Sequence, residues 1–174
     1  MLVTLNGIAL SRVIGFASLM AICIIATGFS QTVRNPKLAS ADLEAAKEAT
    51  RAGGGNTAEL VYAARIDAVT KGTFDSLVVV YSTVAGTGKL YYAVVLREGQ
   101  TLRLPGEKSG TALPKGDRFL RIGLRHEADK APLLRLMGGI GEAGAADEQQ
   151  RNLDFRFNGK EFELVGQSVM KSAR

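Results

Sequence analysis

Twenty-one consecutive residues, Val13–Val33 (VIGFASLMAICIIATGFSQTV), carry no charge, and Arg12 and Arg34 bracket them. At the helical rise this run spans roughly 31 Å, close to the ~30 Å hydrocarbon core of a bilayer. It therefore predicts a membrane-targeting segment, either a retained anchor or a cleaved signal peptide. The second alternative has its parts in place: Arg12, an apolar core from Val13 to Ile25, and the small residues Ala26, Thr27 and Gly28. The first is favoured because the run is longer than a signal core needs. Cys23 follows Ile22 where lipidation would need a small residue, so it reads as a small hydrophobe in the helix.

Arg12 lies on one flank and Arg34 and Lys37 on the other, a weak charge bias. The short basic N-terminal tail suits a signal anchor whose main domain lies outside. The expected address is the bacterial inner (cytoplasmic) membrane, single pass, with a periplasmic head. Within the membrane segment Ser11, Gly15 and Ser18 form a stripe of small residues, with Ala17 and Ala21 as a second pair, and these predict a helix contact face.

Cys23 is the chain's one cysteine, so disulfide stapling is excluded and the 144 residues from Gln31 onward must rest on a core. That part carries 21 Lys/Arg against 17 Asp/Glu, an excess of four. Acids alternate with bases, as in Arg97-Glu98 and Asp117-Arg118, which predicts a mixed solvated surface and no nucleic-acid site.

Asn35-Pro36 breaks any continuing helix. Ser40 is placed to cap a short alanine-rich surface helix, ADLEAAKEATRA, ending at Gly53-Gly54-Gly55. The expected divisions are 1–33 anchor or signal, 34–57 linker with helix, and 58–174 β-rich head.

Strands are predicted at Glu59–Asp67, Ser76–Thr83, Lys89–Arg97 and Arg118–His126, all rich in branched and aromatic residues. The second and third do not alternate, so both of their faces should be covered. Ala85-Gly86-Thr87-Gly88 should close a hairpin between them. A last hairpin joins Asn152–Phe157 to Lys160–Val165 through Asn158-Gly159, read as a type I′ turn, and Leu153, Phe155, Phe157, Phe162 and Leu164 share one face. Gly138–Gln150 lacks apolar periodicity and reads as a loop. The fold class expected is mainly β: a compact antiparallel domain, sandwich-like or barrel-like, with one short surface helix and the N-terminal membrane helix.

AGTGKL at residues 85–90 fails as a phosphate-binding loop, because Thr83 replaces the first glycine, Leu90 replaces the hydroxyl residue, and a β run follows. Asp67–Asp75 (DAVTKGTFD), set within ARIDAVTKGTFDSLVVVY, resembles the calcium loop of the FG-GAP or VCBS extracytoplasmic β modules. The resemblance covers residues 58–81. Asp67, Gly72 and Asp75 match the loop's first, sixth and ninth positions, whereas Val69 and Lys71 stand where the family places oxygen ligands. Calcium wants six to eight oxygens, so no metal is expected here, and no other cofactor. One such unit also cannot make a propeller.

His126, the one histidine, falls at a strand end on the side of Leu120, Ile122 and Leu124 and reads as a hydrogen-bonded structural residue. Arg121 and Arg125 project from the opposite side with Phe119 and could grip a partner's acidic surface. No catalytic motif is complete, and a non-enzymatic role is expected. Two functions survive. The first is an accessory subunit docking on integral membrane subunits of a larger assembly, such as a respiratory or photosynthetic complex. The second is a secreted or periplasmic ligand-binding or enzymatic β domain with a cleaved signal.

Overall fold

The computed structural model describes residues 38–107 and 110–171. Helix α1 (Ser40–Gly54) precedes β1 (Glu59–Ile66), β2 (Ser76–Ala85), β3 (Gly88–Arg97), β4 (Gln100–Arg103), β5 (Arg118–Arg125), β6 (Leu133–Ile140), β7 (Gln149–Phe157) and β8 (Phe162–Lys171). The strands make two antiparallel sheets, in the orders β1-β2-β3-β4 and β5-β6-β7-β8. Both are meanders, so the chain passes from one sheet to the other once, between β4 and β5. The molecule is mainly β with one short helix, as composition and patterning predict. Among the described residues no helix is long and apolar enough to cross a membrane, and Val13–Val33 lies outside them.

Alternation along each strand explains the layers. In β2, Val78 and Val80 face sheet β5-β8 and are fully buried with Ala64, Ile66, Ala93 and Val95 against Ile122, Leu124, Leu134, Leu136, Leu153, Phe155 and Phe162. The other face of β2, with Leu77, Val79 and Tyr81, meets Ala46 and Ala49 of α1, together with Ala63 and Val94. This double coverage is why β2 and β3 carry continuous apolar runs.

The helix is more than a spacer. Its alanine stripe lets it lie close on the sheet, and Asp42 clips it to β1 by a two-pronged ion pair with Arg65 (3.0 and 2.7 Å). Ser40 is the first helical residue rather than the cap. Ala39 occupies the cap position, with no side-chain bond, and its carbonyl accepts from Leu43 N–H at 3.1 Å. Gly53 and Gly54 continue the helix where a stop was expected. A Cβ on Gly53 would sit 2.2 Å from Tyr81 Oη, and one on Gly54 would sit 2.5 Å from Ala58 Cβ. The glycines therefore serve close approach, and Gly55 (φ 73°) ends the helix.

Two strands escape sequence patterning, β4 and β6. Gly138 and Gly139, expected in a loop, lie within β6, where neighbours leave little room for a side chain: a Cβ at Gly138 would meet Leu113 Cδ2 at 2.9 Å, and one at Gly139 would meet Arg118 Nη2 of β5 at 2.8 Å. A bulge between Phe119 and Arg121 resets the phase of β5. Phe119 consequently turns inward toward Tyr62 (5.8 Å) and Tyr91 (6.4 Å), and Leu120 turns outward, opposite to the simple alternation.

The β2–β3 hairpin has Gly86-Thr87 as its two-residue loop, with only Gly86 at positive φ (64°), as a type II′ turn requires. The β7–β8 hairpin forms in the expected place, but its turn is not type I′. Gly159 alone takes positive φ (103°), and Asn158 Oδ1 accepts from the N–H groups of Lys160 and Glu161, both at 2.9 Å. The side chain of Asn158 thus holds a four-residue loop.

Candidate functional site

Helix α1 covers only part of the outer face of its sheet. Beside it runs a groove of about 380 Å³, walled by Asp42, Ala45, Glu48, Ala49 and Ala52 on the helix. The opposite wall is Leu77, Leu96 and the β3–β4 hairpin through Thr101. Two ion-pair sets cross its floor. Asp42 holds Arg65, which keeps the Asp42 carboxyl below its ordinary value, chiefly through that hydrogen bond. Arg97 lies 3.5 Å from Asp75 and 3.4 Å from Glu98. Glu98 and Gly99 both take positive φ (48° and 75°), the geometry of a type I′ turn, so a glutamate occupies a position that usually favours Asn, Asp or Gly. The groove is of ligand size, with Leu77, Leu96 and alanines among its walls and charged side chains of both signs along it.

A second surface is the outer face of sheet β5-β8, over which no helix packs among the described residues. Arg121, Arg125, Arg135 and Arg156 share it, the first two where alternation predicted them and the others on β6 and β7, where Arg135 stands opposite Gly123 and Arg156 opposite Leu133. Their aliphatic stems shield Leu133 and Met137, which are 6% and 4% exposed although they face away from the core. Arg135 makes a two-pronged pair with Asp154 (2.5 and 2.6 Å). Glu127 serves Arg156 at 2.5 Å and Arg125 at 3.8 Å. Arg121 donates toward Met137 Sδ at 3.0 Å and, among the described residues, has no carboxylate partner.

The loop that resembles a calcium site keeps its turn. Gly72 N–H donates to Asp67 Oδ2 at 2.6 Å, closing the loop onto its first residue, and His126 Nε2 lies 3.3 Å from the same oxygen. Asp75 instead accepts from Ser76 Oγ (2.9 Å) and faces Arg97. The two carboxylates therefore serve different partners. Among the described residues no group of three or more His, Cys, Asp or Glu side chains could share a metal ion.

At the opposite end of the core Asp117 is buried beside Arg151 (2.7 Å), and burial raises its carboxyl above the ordinary value against the lowering effect of that arginine. Arg118 and Glu148 form a further short pair there. This cluster closes the core where the β4–β5 connection packs.

Of the residues singled out from sequence, Arg121 and Arg125 share one exposed face, and His126 joins Asp67. Ser11, Gly15, Ala17, Ser18 and Ala21 lie outside the described residues. The groove was missed, because Glu48 and Glu98 are 50 residues apart and no motif joins them. No protein-family model matches this chain, and no curated protein or solved structure is similar to it at a significant level.

Proposed function

We propose that the chain is a non-catalytic accessory subunit, held in the bacterial inner membrane by Val13–Val33, whose periplasmic β head docks on integral membrane subunits of a larger complex. The observation that carries this reading is the arginine row across the outer face of β5, β6 and β7, on the one sheet that α1 leaves open. Arg121 lacks a carboxylate partner among the described residues, and Arg125 shares Glu127 with Arg156. Asp154 and Glu127 hold Arg135 and Arg156 among Leu133 and Met137, which leaves Arg121 and Arg125 to meet an acidic partner surface, because planar donors meet carboxylates in pairs.

The test is extraction of native membranes in mild detergent, followed by native electrophoresis. The wild-type chain should migrate with a larger assembly. Arg121→Glu with Arg125→Glu should release it, since like charges across an interface cost several kcal/mol, while its circular dichroism stays unchanged. Migration unaffected by the double reversal would refute docking through this face.

The groove favours a second reading, a ligand-binding periplasmic domain with a cleaved signal. Mass spectrometry of the mature N-terminus separates the two. Residues 1–30 recovered in the membrane fraction support the anchor, and a start near Phe29 or Gln31 supports the soluble domain.

A further inference from the structure

The direction of α1 decides which end of the head the preceding chain leaves from. Asp42, in the first turn of the helix, is clipped to Arg65 at the close of β1, while Gly54, its last residue, lies against Ala58 and Thr83. The 15-residue helix therefore runs about 22 Å along the sheet, with its N-terminus beside the β1–β2 connection. Three further connections gather at that end. Asp75 faces Arg97 of the β3–β4 hairpin at 3.5 Å. His126 lies 3.3 Å from Asp67, and Arg97 sits 6.0 Å from the centre of the Phe157 ring, which brings the β5–β6 and β7–β8 connections alongside. The β2–β3 hairpin lies at the opposite end, roughly 30 Å away along β2.

Two observations mark the end where α1 begins. Among the described residues, the non-glycine residues at positive φ are Phe74 (47°), Glu98 (48°) and Asp129 (57°), each on a different one of these connections. Backbone strain of this kind concentrates where a surface is used. Phe74 is also 55% exposed, and no other aromatic side chain among the described residues is exposed. A single exposed apolar residue means little by itself, but here exposure and strain fall on the same side chain.

The length of the link to the apolar segment supplies the occupant. Only Arg34, Asn35, Pro36, Lys37, Leu38 and Ala39 separate Val33 from α1, and a link of that length reaches at most about 22 Å. With Val13–Val33 in the bilayer, the end carrying Phe74 is held over the lipid and the β2–β3 hairpin is a helix length further off. We propose that the head stands end-on on the membrane, with Phe74 entering the lipid interface and the neighbouring turns resting on the headgroups. The exposed charges of these turns balance, Lys71, Lys130 and Lys160 against Glu98, Asp129 and Glu161. The contact is therefore apolar and needs no anionic lipid. This inference rests on the anchor reading of Val13–Val33, and it turns the arginine face sideways, where a neighbouring subunit would stand.

The test reconstitutes the full chain, with Cys23→Ser as background, into phosphatidylcholine vesicles, and flotation shows whether it is anchored. The fluorophore nitrobenzoxadiazole is attached either at Lys71→Cys, beside Phe74, or at Val84→Cys on the far hairpin, where the side chain is 65% exposed. Lipids carrying a nitroxide at the headgroup should quench the probe at residue 71 by about half, since interfacial apolar groups lie about 5–10 Å deep. The probe at residue 84 should stay bright. High salt should change neither result, because an apolar contact is not screened. Adding Phe74→Ser should bring quenching at residue 71 down to the level at residue 84, with the circular dichroism unchanged. Equal quenching at 71 and 84 in the unaltered loop, loss of quenching in high salt, or quenching that survives Phe74→Ser would overturn the proposal and leave the anchor standing. So would a probe at residue 71 unquenched in vesicles but shielded in native membranes, which would give this end to a protein partner. A chain that fails to float would remove the anchor reading and the proposal with it.

Discussion

Replacing Gly53 by alanine tests the packing of α1, because two effects of opposite sign meet there. Alanine in a helix is favoured over glycine by about 1 kcal/mol through backbone entropy alone. Against that, the added methyl would lie 2.2 Å from Tyr81 Oη and 2.6 Å from Tyr81 Cζ. Tyr81 is 1% exposed and stacked on Tyr92, with ring centroids 5.3 Å apart, so its ring has little room to retreat. Overpacking of this kind costs about 1–3 kcal/mol. The net effect expected is a loss of about 1 kcal/mol, read as a fall in Tm of roughly 4 °C. Thermal unfolding followed by circular dichroism measures it. In a Tyr81→Phe background, which removes the nearest atom, Gly53→Ala should be less damaging. A rise in Tm for Gly53→Ala in the wild-type chain would show that propensity outweighs contact, and that the helix does not sit on Tyr81.

Gly159→Val should destabilise the β7–β8 hairpin by about 1–2 kcal/mol, since φ of 103° strains a β-branched residue although the space around it is open; an unchanged urea midpoint would refute this. Burial pushes the Tyr62 phenol up to about 12, so folding favours its protonated form. Ultraviolet titration should therefore find one tyrosine ionising near that value, and its contribution to stability, complete below the ordinary 10, should vanish as pH rises through about 12. Asp42 runs the other way: its carboxyl is lowered from 3.8, chiefly by the Arg65 hydrogen bond, so its contribution is present above 3.8 and lost as pH falls through the lowered value. Stability curves of the wild type and Asp42→Asn should thus converge toward acid, and parallel curves would remove the pair from the account.

Patterning found the strands whose apolar residues are dense enough to speak for themselves. β2 and β3 have branched residues on both faces because a second sheet and a helix each take one, and that demand shows in composition. β4 is four residues long and β6 carries Gly138-Gly139 before its last residue, so neither writes a periodic signal. The glycines illustrate why. Gly53, Gly54, Gly138 and Gly139 are small because a distant segment comes close, and sequence-local rules read them as stops. The bulge at Phe119 shows the same limit, since one extra residue puts Phe119 and Leu120 out of phase with the rest of β5. Arg121 and Arg125 were legible as a pair because the shift falls before both, while their neighbours Arg135 and Arg156 depend on strand order. The groove depends on where α1 lies over the sheet, which no spacing encodes.

The single crossing between β4 and β5 has a consequence for synthesis. In a head that reaches the periplasm N-terminus first, as proposed, α1 and the first four strands leave the export channel before the rest and can close as a local meander, each strand able to find the next by a hairpin within microseconds. Its covered face is then protected by α1. The other face, with Ile66, Val78, Val80 and Val95, has nothing to bury against until the second meander follows. At about 5–20 residues per second that interval lasts several seconds. The nascent chain therefore presents a flat aliphatic surface for a time far longer than its own folding, and a chaperone that recognises extended apolar strands should bind it within that window and release it when β7 arrives.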